Sequence, residues 1–237
     1  MMNWLPIPLL IFSVTALIIA DERARPGQAR NLRWVAVWKP LSSILVIAVA
    51  ALSFALRGPR DTVYTLLILG GLVFSLAGDV LLIFPAPRAF MAGLVAFLCA
   101  HLTYTAAFVH LQVTREMGSN PAAELLAAAV LALAAVGVYN ILRPGLGGMR
   151  LPVIAYMVVI SVMLHRALAV AFVYNGSPGL PILIVGGAAL FYLSDAILAI
   201  DRFRMQGAMP HGRLWSLLAY YAGQLLLALS VAAFALQ

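Results

Sequence analysis

Eight long apolar runs, separated by short polar segments, dominate the chain: residues 4–20, 35–56, 63–84, 89–111, 122–142, 152–174, 180–200 and 214–236. Each is about long enough to cross the hydrocarbon as a helix. Lipid satisfies no backbone groups, so the segments are helices or strands of a closed barrel. Unbroken apolar runs are not the alternating, roughly ten-residue pattern of a barrel. The pattern predicts an all-α polytopic membrane protein, a bundle of eight transmembrane helices forming one domain over 1–237. The loops, such as Arg57-Gly58-Pro59-Arg60 and Arg143-Pro144-Gly145, are short and leave no room for a soluble domain. The first run lacks a basic stretch ahead of it, and Arg23, Arg25, Arg30 and Arg33 follow it. It is therefore expected to be a retained helix rather than a cleaved leader.

Composition agrees. The chain is 64% hydrophobic and 10% charged, with a mean hydropathy of +1.03. A soluble domain carries about 25% charged residues, so a soluble enzyme, a disordered segment and a nucleic-acid module are all excluded. The net charge of +7 sits in loops beside apolar runs, where it signals topology and meets anionic headgroups. Cys99 is the only cysteine, which excludes a disulfide framework and a thiolate metal cage.

The first, third, fifth and seventh loops, with the span ends that flank them, hold eleven of the fifteen Lys and Arg residues. Basic loops stay in the cytoplasm. Both termini are then expected on the other side, in a bacterial inner membrane.

An ionisable group in hydrocarbon costs about 2.5–3.5 kcal/mol on insertion scales, so each one needs a reason. Of eight acidic residues, only Asp79 and Asp195 lie well inside spans. Both sit about 7–9 Å from the cytoplasmic end of helices that run the same way. Two carboxyl groups at one depth can face one cavity. Tyr156, Tyr220, Tyr221 and Gln224 fall in the same half of the membrane, Lys39 lies at the cytoplasmic part of the second span, and His101 and Tyr104 lie deeper. Ser75 and Asp79 are four apart, and His101 and Tyr104, like Tyr221 and Gln224, are three apart, so each pair can share a helix face. His165 and Arg166 can line the cavity but sit farther from the cytoplasm; His110 and His211 receive no role. Simpler readings compete: a lone Tyr anchors or packs, a lone His bonds across helices, and Ser75 bonds back to its own helix. The segments ending at Gly78-Asp79 and Ser194-Asp195 also echo one another four spans apart, as in parallel-repeat proteins.

These segments carry a family likeness. Lys39-Pro40-Leu41, Gly71 through Asp79, Gly93 through Tyr104, Gly187 through Asp195 and Tyr220-Tyr221-Ala222-Gly223-Gln224 resemble, in order and spacing, the YhhN family of integral membrane proteins, which includes the lysoplasmalogenases. The resemblance implies hydrolysis of the vinyl-ether bond of a lysoplasmalogen, giving a fatty aldehyde and a glycerophospho-headgroup; separately, no cofactor and no metal ligand are expected. Vinyl ethers are cleaved by protonating the alkene carbon remote from oxygen. That needs one protonated acid and one group that steadies positive charge and activates water, much as paired carboxyls serve glycosidases. Asp79 and Asp195 are the catalytic candidates, their roles left open between them. Lys39, Ser75, His101, Tyr104, Tyr156, Ser194, Tyr220, Tyr221 and Gln224 are the supporting or substrate-binding ones, with Lys39 meeting the lipid phosphate as a point charge. Two other readings stay open: a metal-dependent lipid hydrolase of the alkaline-ceramidase type, and a proton-coupled transporter or sensor using the aspartates as relays.

Overall fold

A computed structural model describes residues 6–22, 32–57, 61–176 and 178–234. Arg23, Arg25, Arg30 and Arg60, which carry part of the orientation reading, lie outside them, as do the first two residues of the first apolar run. The described residues form eight helices and no strand: α1 Pro6–Glu22, α2 Leu32–Arg57, α3 Thr62–Leu81, α4 Pro87–Thr114, α5 Pro121–Leu142, α6 Arg150–Val173, α7 Gly179–Ala199 and α8 Gly212–Phe234. Helices α2 to α8 are long and apolar enough to cross a membrane, and α1 is a shorter apolar helix. The chain is a multi-pass integral membrane protein. Observed ends lie within three residues of the expected ones. The third span stops at Leu81 rather than Phe84, because the chain turns there before Pro87 opens α4.

Polar residues at the loop ends start the helices. The Asp61 carboxylate accepts the Tyr64 N–H at 2.9 Å, and Asn120 accepts the Ala123 N–H ahead of Pro121. These caps satisfy backbone donors that a helix leaves orphaned. His110 contacts the Asp61 carboxylate from α4 at 3.0 Å, joining the start of α3 to the last turns of α4.

The tightest packing is between α3 and α4 and between α7 and α8. Glycine allows it. A Cβ at Gly71 would sit 2.2 Å from the Tyr104 ring, and a Cβ at Gly223 would sit 2.9 Å from the Gly187 carbonyl oxygen. Without a hydrophobic force between helices in lipid, such close approach supplies much of the association energy. Gly71 and Gly187 occupy equivalent places in the sequence echo, each eight residues before its aspartate. Helix α5 lies at the periphery, chiefly against α6, and Leu125 and Leu133 on it are more than two-thirds exposed, presenting an apolar face outward.

Candidate active site

Between the two tight pairs lies an aromatic cluster centred on Phe191 of α7. Its ring meets those of His101, Tyr220, Phe97 and Tyr104 edge-on at 4.8–6.2 Å between centroids. Phe191, His101 and Tyr104 are fully buried. Two polar assemblies flank this dry core, one around each aspartate.

Asp79, near the end of α3, is 1% exposed. Its Oδ1 lies 3.1 Å from Lys39 Nζ. Its Oδ2 accepts hydroxyl protons from Ser43 at 2.5 Å and Tyr220 at 2.6 Å. A carboxylate with a cation and two donors has its lone pairs satisfied, the condition under which a charge survives burial. Lys39 is held in turn, since Tyr221 donates to its carbonyl oxygen at 3.1 Å. Ser43 also lies 3.2 Å from that carbonyl, but it has one proton and the shorter contact is to Asp79.

Asp195, near the end of α7, is bound differently. Tyr156 of α6 donates to Oδ2, and His101 Nε2 lies 2.8 Å from the Tyr156 hydroxyl and 3.4 Å from Oδ2. No Lys or Arg pairs with Asp195 among the described residues. Its side chain is 16% exposed against 1% for Asp79.

The two carboxyl groups share one cavity of about 410 Å³, which opens between α8 and the turn after α7 and is lined by both aspartates, Lys39, Tyr220, Ser194 and Ser216 among others. A second, apolar pocket lies against it, walled by Met157, Ile160, Val138 and Leu142 of α5 and α6. Phe97, Phe90, Asp195 and Arg202 border both spaces. Asp195 therefore stands where a polar chamber meets a greasy one.

The structure gathers most of the residues singled out from the sequence. Ser194 does not bond to Asp195; it pairs with Ser216 at 3.3 Å and fastens α7 to α8. Ser75 on α3, Tyr104 on α4 and Gln224 on α8 are buried, but Ser75 Oγ, Tyr104 OH and Gln224 Nε2 meet no partner at hydrogen-bond geometry, nor does His101 Nδ1. Buried polar groups of that kind take up water or a polar ligand atom. Lys39 is committed to Asp79 and is not a free point charge for a lipid. His165 and Arg166 line neither chamber: Arg166 Nη2 pairs with Glu124 Oε2 at 2.5 Å, and His165 Nε2 meets the Glu124 carbonyl oxygen at 3.0 Å. His165 instead borders a separate groove between α5 and α6. Among the described residues no three His, Cys, Asp or Glu converge as a metal site would need.

Ser43, Phe191, Ser216 and Arg202 escaped the sequence reading. Ser43 follows Lys39 by four, one turn along the same face, which is the signal that was available for it. Arg202 follows Asp195 by seven, but a basic residue past a span end reads first as a topology marker.

Together, the fold and the site define a polytopic helical membrane protein with a polar cavity and an adjoining apolar pocket that meet at Asp195. The chain belongs to the YhhN family, whose model matches residues 34–231. Its relatives include human lysoplasmalogenase TMEM86B, 40% identical over 169 residues (70% of this chain and 64% of that protein). They also include mouse lysoplasmalogenase TMEM86B, 37% identical over 198 residues (83% and 75%), and human lysoplasmalogenase TMEM86A, 31% identical over 188 residues (78% and 72%). The match thus spans just under two thirds of the human TMEM86B chain. No solved structure matches.

Proposed function

We propose that this chain is a membrane-embedded hydrolase that cleaves the vinyl-ether bond of lysoplasmalogens, and that Asp195 is its general acid. The names of its relatives support the substrate class. The observation that carries the assignment is the place of Asp195, at the junction of the polar cavity and the apolar pocket, with Tyr156 and His101 on one oxygen. An alkenyl chain laid in the apolar pocket brings the reactive double bond beside that carboxyl group, with the glycerol in the polar chamber. The basic turn after α7 suits a mouth on the cytoplasmic side.

The two aspartates then divide the work. Asp79, paired with Lys39 and accepting hydroxyl protons from Ser43 and Tyr220, is the structural partner that fixes these groups on the cavity wall. Asp195, with no Lys or Arg beside it, delivers its proton as the general acid from the oxygen that Tyr156 leaves free. It protonates the alkene carbon remote from oxygen, and the C–O carbon becomes an oxocarbenium ion. The new Asp195 carboxylate is steadied by the Tyr156 hydroxyl, itself backed by His101 Nε2–H, and takes a proton from water as that water adds. The hemiacetal collapses as Asp195 gives its proton to the departing glycerol oxygen and takes the hemiacetal hydroxyl proton as the aldehyde forms, so that it ends protonated as it began. The net change is R–CH=CH–O–R′ + H2O giving R–CH2–CHO + HO–R′. The Phe191 cluster excludes bulk water from the cation.

The test is hydrolysis in D2O by purified protein. One deuterium on the carbon next to the aldehyde, together with loss of at least about a hundredfold in turnover on Asp195→Asn, is the expected result. Aldehyde without that deuterium, or near wild-type turnover by Asp195→Asn, would overturn the scheme.

A further inference from the structure

We propose that Arg202 is the phosphate-binding residue of this site, taking the phosphodiester of an amphiphile whose chain occupies the apolar pocket. Arg202 lies in a π-helical turn, Ile200–Arg204, that continues α7. Its guanidinium lies over the Phe90 ring, with Cζ 3.6 Å from the ring centroid. Stacking of that kind fixes the plane of the fork and leaves its N–H edges pointing outward, the arrangement that binds two oxygens of a phosphate at once. The residue is exposed at the mouth and borders both chambers.

Charge accounting singles it out. Lys39 is spent on Asp79 at 3.1 Å. The neighbouring Asp201 does not neutralise Arg202: it is buried, and its Oδ1 accepts the Met209 N–H at 3.0 Å, tying down the following loop. No carboxylate pairs with Arg202 among the described residues. Arg213, in the first turn of α8, lines the same mouth.

Spacing fits as well. Arg202 follows Asp195 by seven residues, a rise of about 10 Å along the helix. An extended glycerophosphate together with an arginine side chain covers that rise. Asp195 and Arg202 both border the polar cavity and the apolar pocket, so one amphiphile with its chain in the pocket can present its ether to the first and its phosphate to the second. The identity of the amphiphile rests on the hydrolase reading; the anion site does not.

The test uses the full chain in detergent and two substrates, a lysoplasmalogen and a 1-alkenylglycerol lacking phosphate. Arg202→Gln is expected to raise KM for the phosphate-bearing substrate about tenfold or more, so that the preference for it over the phosphate-free one collapses. Arg202→Lys, which lacks the planar fork, falls between. Arg204→Gln, in the same turn but lining neither chamber, changes neither. An unchanged preference in Arg202→Gln overturns the proposal. Equilibrium binding of a saturated 1-alkyl lysophospholipid and of 1-alkylglycerol repeats the comparison without turnover. If the wild type releases no aldehyde, the hydrolase reading fails, and a phosphate-dependent affinity lost in Arg202→Gln still upholds the site, whereas equal affinities sink it. Competition by inorganic phosphate identifies a soluble anion as the natural source; competition by the lysolipid alone identifies the headgroup.

Discussion

Replacing Lys39 by Met tests the pair at the base of the cavity most directly. The variant removes the cation, keeps the bulk of the stem and leaves Asp79 with Ser43 and Tyr220 alone. The ammonium lies 3.1 Å from the carboxylate, so at an effective dielectric of about 20 the attraction is about 5 kcal/mol. Desolvation of the two ions offsets most of that while both are present. With one gone the other is stranded, which costs about 3–5 kcal/mol. Asp79→Asn strands the ammonium in the same way. The double variant strands nothing, and should lose about 2–3 kcal/mol less than the sum of the two single losses. Unfolding of each protein by SDS in mixed micelles reads the four stabilities. Single losses that simply add, within about 0.5 kcal/mol, would mean that the two charges do not depend on one another and that the account of Asp79 is wrong.

Two further outcomes follow from the geometry. Tyr156→Phe removes the hydroxyl on Asp195 while keeping the ring; turnover should fall about tenfold to a hundredfold with KM little changed, and steady-state kinetics giving wild-type kcat would refute that role. Gly223→Val places side-chain atoms where the Gly187 carbonyl stands, 2.9 Å from a Cβ, and should destabilise the protein by about 1–3 kcal/mol or more; an unfolding midpoint equal to wild type would show that α7 and α8 yield there.

The spans were legible because lipid demands long apolar runs, and nothing in an α-helical membrane protein disguises them. Asp79 and Asp195 were legible because a carboxyl group in hydrocarbon is rare and costly, and equal depth on parallel helices is arithmetic. Partners were harder to read. Lys39 sits at a span end, so its charge could serve the lipid, the loop or another helix, and only the packing of α2 on α3 and α8 commits it to Asp79. Ser43 is a hydroxyl in a helix, where a bond back to its own turn is the ordinary fate. Arg202 counted toward orientation, and the π-helical turn that aims it over Phe90 leaves no mark in the residue pattern. Arg166 and Glu124 lie 42 positions apart, and their pairing away from the cavity depends on how α5 leans on α6. Phe191 falls inside the Gly187 to Asp195 segment, but one more aromatic in an apolar run does not advertise that four rings converge on it.

The wall shared by the wet and greasy chambers has a consequence for traffic. A bond cut at Asp195 divides an amphiphile into a fragment that only the bilayer dissolves and a fragment that only water dissolves. In the proposed reaction each half is left in the chamber whose polarity matches it, so the two products need not cross one another to part.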